Sequence, residues 1–294
     1  MQLKNKKALA FVENLLELEM VKDLELFDDQ GVKVSTHTYD VLKISIDELK
    51  RDYRSFTEAK QRVDFFAMTI GIIIHDLSKG SIRKTEEKFS HSQMMLKKPE
   101  YITKEADRVL KEVEEKLDVE INDAIRKNII HIVLSHHGKW GKIQPNSKEA
   151  HIVHRADMYS AKYHRINPIG EDNILELMAQ GMQLEEISIK LNCTQGVIKD
   201  RLKRAKQELN FKNTKQLINY YKKNKKIPIG DNFFIQRVRE TEKLKRMVDR
   251  KGFKNIMLEN PLIPYFRDEE IFAGNQETLW TNPNAEWGTE KTRR

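Results

Sequence analysis

The chain has a single cysteine, Cys193, so no disulfide can close within it and no thiolate-based zinc site can form; such usage fits a reducing cytoplasm. No stretch reaches about 18 consecutive apolar residues, which argues against a membrane-spanning helix. Met1 to Lys7 leads into an amphipathic helix rather than a signal peptide. Aromatic residues make up only 8% of the 294, and no internal repeat is visible. What the chain has in quantity is charge, at 33%, together with Leu, Ile, Glu and Lys at helical spacing. That is the profile of a mostly α protein long enough for two domains.

The net charge of +8 is concentrated in one place. From Thr194 to Lys226 eleven basic residues stand against two acidic ones, and the remainder is close to neutral. A basic block inside a patterned stretch reads either as a phosphate-backbone binder or as a solvated helix face.

The most apolar part of the chain, from Val63 through Ile70-Gly71-Ile72-Ile73-Ile74, ends in the adjacent pair His75-Asp76. A charge at the end of a buried helix needs a partner, and a cation is the partner that an imidazole and a carboxylate can share. Around this pair the chain reads as helices. Lys7 to Phe27 forms an opening helix, broken by Asp28-Asp29-Gln30-Gly31, and a second helix follows with His37 in its first turn. Lys79-Gly80 closes the helix that carries His75 and Asp76, and a charged loop leads to His91. Pro99 to Leu117 and Ile121 to His137 are further helices, the latter with Ile121, Ile125, Ile129, Ile132 and His136 on one face and His137 at its edge. Ala150 to Arg165 is the next, with Asp157 one turn after Val153. Singly, each of these residues has an ordinary reading: His37 as a capping histidine, His136 as a satisfied core histidine, Asp157 as the partner of Arg155 or Lys162.

As a series, Ser35-Thr36-His37-Thr38, His75-Asp76-Leu77-Ser78-Lys79, Leu134-Ser135-His136-His137-Gly138 and Ala156-Asp157-Met158-Tyr159-Ser160-Ala161 resemble the HD-domain metal-dependent phosphohydrolase superfamily, and most closely its 3′–5′ exoribonuclease branch. The resemblance covers roughly residues 31–165. It implies an all-α helical bundle in which His37, His75, Asp76 and Asp157 hold one metal, with Asp76 bridging to a second held by His91 and His136. Lys79 would contact a substrate phosphate oxygen, and His137, used in only some branches, stays outside the set. If His91 is not a ligand, the site is mononuclear. A His and carboxylate set without thiolate implies one or two divalent ions among Mn, Fe, Co, Ni and Zn. Two such ions would lower the pKa of a bridging water and stabilise the charge of in-line attack on a phosphodiester or phosphoanhydride.

Beyond Asn167-Pro168 the composition changes. Asp172 to Gln180 is a short helix ended by Gly181, Met182 to Leu191 a second, Asn192-Cys193 a tight turn, and Thr194 the N-cap of a basic helix reaching Leu209. Its inner face is Val197, Ile198, Leu202, Ala205 and Leu209. This stretch, with Asn213-Thr214-Lys215-Gln216-Leu217 after it, resembles the LuxR-type helix-turn-helix domain, and Arg201-Leu202-Lys203-Arg204-Ala205 resembles region 4 of sigma factors. The resemblance implies contacts to bases or backbone from Gln195, Lys199 and Arg201, and to phosphates from Lys203, Arg204 and Lys206. Such units also serve as docking or dimerisation modules. Asn232 to Lys251 reads as a basic amphipathic helix with Phe234, Val238, Leu244 and Val248 on one side, Phe253 to Phe272 lacks a clear period, and Ala273 to Arg294 reads as a disordered tail.

The expected organisation is an N-terminal helix (1–30), an HD domain (31–167), a helix-turn-helix domain (168–226) and a helical tail (227–294). The expected function is that of a cytoplasmic phosphohydrolase, foremost a nuclease, brought to DNA, or in second place RNA, by its second domain. Its substrate would be an oligonucleotide or nucleotide; no membrane partner is expected, and oligomerisation is left open. A nucleotide phosphohydrolase with a regulatory DNA-binding domain, or a transcriptional regulator with a sensing or scaffolding HD domain, are the alternatives.

Overall fold

The computed structural model describes residues 4–29, 31–80, 90–164, 170–191, 195–227 and 232–273, the stretch 232–239 by its backbone alone. The protein is all-α, with one two-stranded hairpin, β1 (Asp28–Asp29) against β2 (Val32–Lys33), as its only sheet among the described residues. Helices α1 (Lys6–Glu17) and α2 (Glu19–Lys22) precede the hairpin, and α3 (Val34–Asp52), α4 (Phe56–Lys60), α5 (Phe65–Ile74), α6 (His91–Lys97), α7 (Pro99–Leu117), α8 (Asp123–Ser135) and α9 (Lys148–Tyr163) follow it.

At the centre lies α5, every residue of which is buried, as its uniformly apolar sequence requires. Asp64 caps it by accepting the Ala67 N–H at 2.9 Å. Gly71 lets it close on α8: a Cβ there would meet Ile132 Cγ2 at 2.7 Å. The helix stops at Ile74, His75 to Leu77 form a turn, and helical geometry resumes at Ser78. The continuous helix expected through Lys79 is thus broken where the polar pair begins. The expected opening helix is also broken, at Leu18 (φ −63°, ψ 140°), and the remainder turns to bury Val21 and Leu24 as well as Leu15 and Leu16.

The ends of the chain are not separate units. Helix α1 and the C-terminal elements α14 (Asn232–Lys251), α15 (Phe253–Leu258), a 3-10 turn at Ile263–Tyr265 and α16 (Asp268–Ile271) share the hydrophobic cluster of α3 to α9. Phe11, Phe66, Phe266 and Phe272 pack edge to face or tilted, with centroids 5.5–6.2 Å apart. Asp268 accepts the Lys7 and Ala8 N–H groups at the start of α1, and Phe272 bridges to Ile121. The hydrophobic cluster thus runs across the divisions expected at residues 30 and 227. Residues 274–294, read as a disordered tail, lie outside the described residues, as do the side chains of Phe234 and Val238.

A second, smaller core joins α10 (Glu171–Ala179), α11 (Leu184–Lys190), α12 (Gln195–Glu208) and α13 (Thr214–Asn224) through Ile174, Leu175, Ile187, Ile198, Leu202, Leu217 and Ile227. Gly181 at φ +93° ends α10, with Met182 N–H donating back to Leu177. Asn213 caps α13 by accepting from Gln216 N–H. The turn Asn192-Cys193-Thr194 lies outside the described residues. In sequence this unit sits between α9 and α14, both packed in the large core; Thr241 Oγ1 donates to the His164 carbonyl at 2.8 Å where the two meet.

Candidate metal centre

Four buried histidines and two buried aspartates reach one point from five elements. His37 comes from the first turn of α3, His75 and Asp76 from the turn after α5, His91 from the start of α6, His136 from the end of α8, and Asp157 from the middle of α9; all are at most 7% exposed. Ser90 and Gln93 form a capping box that sets His91 at the first position of α6.

Each imidazole is oriented through Nδ1. His75 Nδ1–H donates to the Ile72 carbonyl at 2.7 Å and His136 Nδ1–H to the Val133 carbonyl at 2.6 Å. His37 Nδ1 hydrogen-bonds with Ser160 Oγ at 2.9 Å and His91 Nδ1 with Ser78 Oγ at 2.6 Å. All four Nε2 atoms are thereby turned toward Asp76. Its Oδ2 lies 3.4 Å from His75 Nε2 and 3.6 Å from His37 Nε2, and its Oδ1 lies 3.3 Å from His91 Nε2 and 3.9 Å from His136 Nε2. The two oxygens of one carboxylate thus face two different histidine pairs. Asp157 pairs with His37 at 2.9 Å, whereas Arg155 goes to Glu48.

Electrostatics favour the ligating state of His91, His136, Asp76 and Asp157. Burial pushes His91 down to about 3 and holds His136 well below the ordinary imidazole range, with the charges of neighbouring histidines adding to the effect. His137 is lowered by burial too. Burial alone would raise Asp76, but Lys79 and His75 override it and hold the carboxyl well below its usual range. For Asp157 the hydrogen bond and charge of His37 outweigh burial in the same direction. His75 goes the other way: burial disfavours its cation, yet the Asp76 charge raises it.

A divalent ion fits this set. His75 Nε2 is buried without a hydrogen-bond partner, an expensive state that a cation would relieve. Two groups have their donor atoms mutually within 4.8 Å: His37, His75 and Asp76, and His91, His136 and His137. The second brings in His137, which sequence reading left outside the set; its ring lies 4.4 Å from that of His136 and 4.9 Å from that of His91. Lys79, expected on substrate, has its ammonium on Asp76 at 2.7 Å and on Asp29 at 2.8 Å. Ser78 and Ser160 fall inside the stretches that resemble the family, where the resemblance gives them no role, and Asp29 reads in the sequence only as part of the break after the opening helix.

In the smaller unit Gln195, Lys199 and Lys203 are exposed on α12, and Lys206 is half-buried. Arg201 departs from its expected outward place: it is half-buried, 3.7 Å from Glu171, and Arg204 pairs with Glu208 at 2.6 Å.

Residues 34–162 match the family model of the HD domain, and every residue gathered around Asp76 from within this stretch, His37 to Asp157, falls inside the match. No curated protein and no solved structure matches the chain. The HD match supports metal-dependent phosphohydrolase chemistry in general. Among the described residues no helix is long and apolar enough to cross a membrane.

Proposed function

With an HD domain over residues 34–162 as the premise, we propose that the protein is a metal-dependent phosphodiesterase of nucleic acids, held on DNA by its α10–α13 unit. The observation that carries the reading is the placement of the Asp76 carboxylate between two histidine pairs, one on each oxygen. His37, His75, Asp76 and Asp157 would hold one ion, and Asp76, His91 and His136, joined by His137, a second. When bound, divalent ions supply a hydroxide nucleophile near neutral pH and a Lewis acid for the phosphoryl oxygen.

The chain's own groups set the stage for this. The Ile72 and Val133 carbonyls fix the tautomers of His75 and His136, so that their Nε2 atoms are the ones presented. Lys79 holds Asp76 ionised and oriented and places positive charge beside the position of a phosphoryl group. The exposed Gln195, Lys199 and Lys203 give α12 the side chains of a groove-reading helix, and the LuxR-type likeness supports duplex DNA as what it reads. The exoribonuclease likeness makes RNA the second substrate to try. The single cysteine suits work in the cytoplasm.

Metal analysis of the purified chain is expected to find one or two transition-metal ions, and Mn²⁺ to support cleavage of a single-stranded oligonucleotide in preference to nucleoside triphosphates. His75→Ala with Asp76→Ala should lose both metal and turnover, by more than about 100-fold, while duplex DNA binding persists. Turnover of triphosphates alone would replace this reading with a nucleotide phosphohydrolase; no turnover in any metal would leave a DNA-binding regulator.

A further inference from the structure

Directly after His136-His137 the chain makes a tight turn that presents Trp140 to solvent with 60% of its surface exposed. Hydrogen bonds within the turn hold it there. Trp140 N–H donates to the His137 carbonyl at 3.1 Å, Gly141 N–H to Gly138 at 2.9 Å, and Gln144 Nε2 to the Gly138 carbonyl at 2.8 Å. Gly138 adopts φ +52°, and a Cβ there would clash with the His154 ring, which in turn donates from Nδ1 to the His136 carbonyl at 2.6 Å. On the far side Lys142 N–H reaches the Met95 carbonyl of α6 at 3.3 Å. The turn is therefore pinned both to the helix that carries His91 and to the one that carries His136.

Burying an indole would be favourable, yet this one is held outward, one turn from a histidine of the candidate metal centre. Lys139 Nζ lies over the ring, 5.0 Å from its centroid, and Lys142 is exposed two residues on. An exposed aromatic face with cations beside it is what a base and its following phosphate require, and a fixed backbone lowers the entropic cost of using it. A base inside a duplex already stacks on its neighbours and cannot use such a face.

We propose that Trp140 is a stacking platform for the nucleobase adjoining the phosphate handled at Asp76, so that the strand entering the site is single-stranded there. The identity of that phosphate rests on the phosphodiesterase reading above; the stacking is measured apart from it. Binding of a fluorescein-labelled single-stranded tetranucleotide to the full chain, in chelator so that nothing is cut, is followed by anisotropy. Trp140→Ala should weaken it about tenfold, Trp140→Phe should keep most of the affinity, and a tetranucleotide with abasic sugars should bind the wild-type chain and Trp140→Ala alike. Equal binding of the normal tetranucleotide by wild type and Trp140→Ala overturns the proposal, as does an equal loss on the abasic strand. A loss confined to mononucleotides also overturns it, giving the platform to a nucleotide substrate. A chain that cuts no diester in any metal but loses its grip in Trp140→Ala upholds stacking while removing the phosphodiesterase reading.

Discussion

Asp64 shows how much a single carboxyl can be made to carry at the far end of the helix that leads to the candidate site. Burial raises its pKa to about 6 against the lowering pull of the Ala67 N–H, and the nearby Glu149 charge adds to the rise. A carboxyl whose proton is held more tightly in the folded state loses stability as pH climbs, here from about 4 through about 6. Asn caps a helix as well as Asp does. Asp64→Asn should therefore be more stable than the wild type above pH 6, by on the order of 1 kcal/mol, and the gap should vanish below pH 4. Urea melts across that range check it; an unchanged or widening gap in acid would refute it. At this scale the candidate metal donors were legible because imidazoles and carboxylates ending apolar helices are costly and so stand out. Ser78 and Ser160, which orient His91 and His37, and Asp29, which shares Lys79, were not. Hydroxyls and turn residues are ordinary on any surface, and only the fold brings them to an imidazole or an ammonium.

Among the elements, the contact between α5 and α8 leaves no room for a methyl at Gly71. Gly71→Ala gains about 1 kcal/mol of helix propensity but drives a methyl into Ile132, a strain of about 1–3 kcal/mol. The variant should be destabilised in chemical denaturation; a more stable one would show that the two helices separate freely. Pro99 to Leu117 was readable to the residue because nineteen positions repeat one apolar stripe. Phe253 to Phe272 was not, since its pieces are six, three and four residues long, each shorter than the window in which a period can be seen.

For the whole molecule, local pattern says what each stretch is but not where the chain returns to. That is why the segments before residue 30 and after residue 227 read as additions to the bundle, although α1 and α14 to α16 share its hydrophobic cluster. If the α10–α13 unit grips DNA through its phosphates, Lys199→Gln with Lys203→Gln should weaken binding across all sequences alike and reduce the slope of log K against log salt by about 2. A sequence-selective loss with an unaltered slope would point instead to base contacts.

The placement of Phe266 and Phe272 against Phe66 and Phe11 sets a timetable for synthesis. A ribosome that has translated every metal-binding candidate, and the basic unit after them, still holds a chain whose central cluster lacks its last wall. Packing around the metal-binding candidates is thus expected to finish only after Phe272 has emerged, long after the candidates themselves.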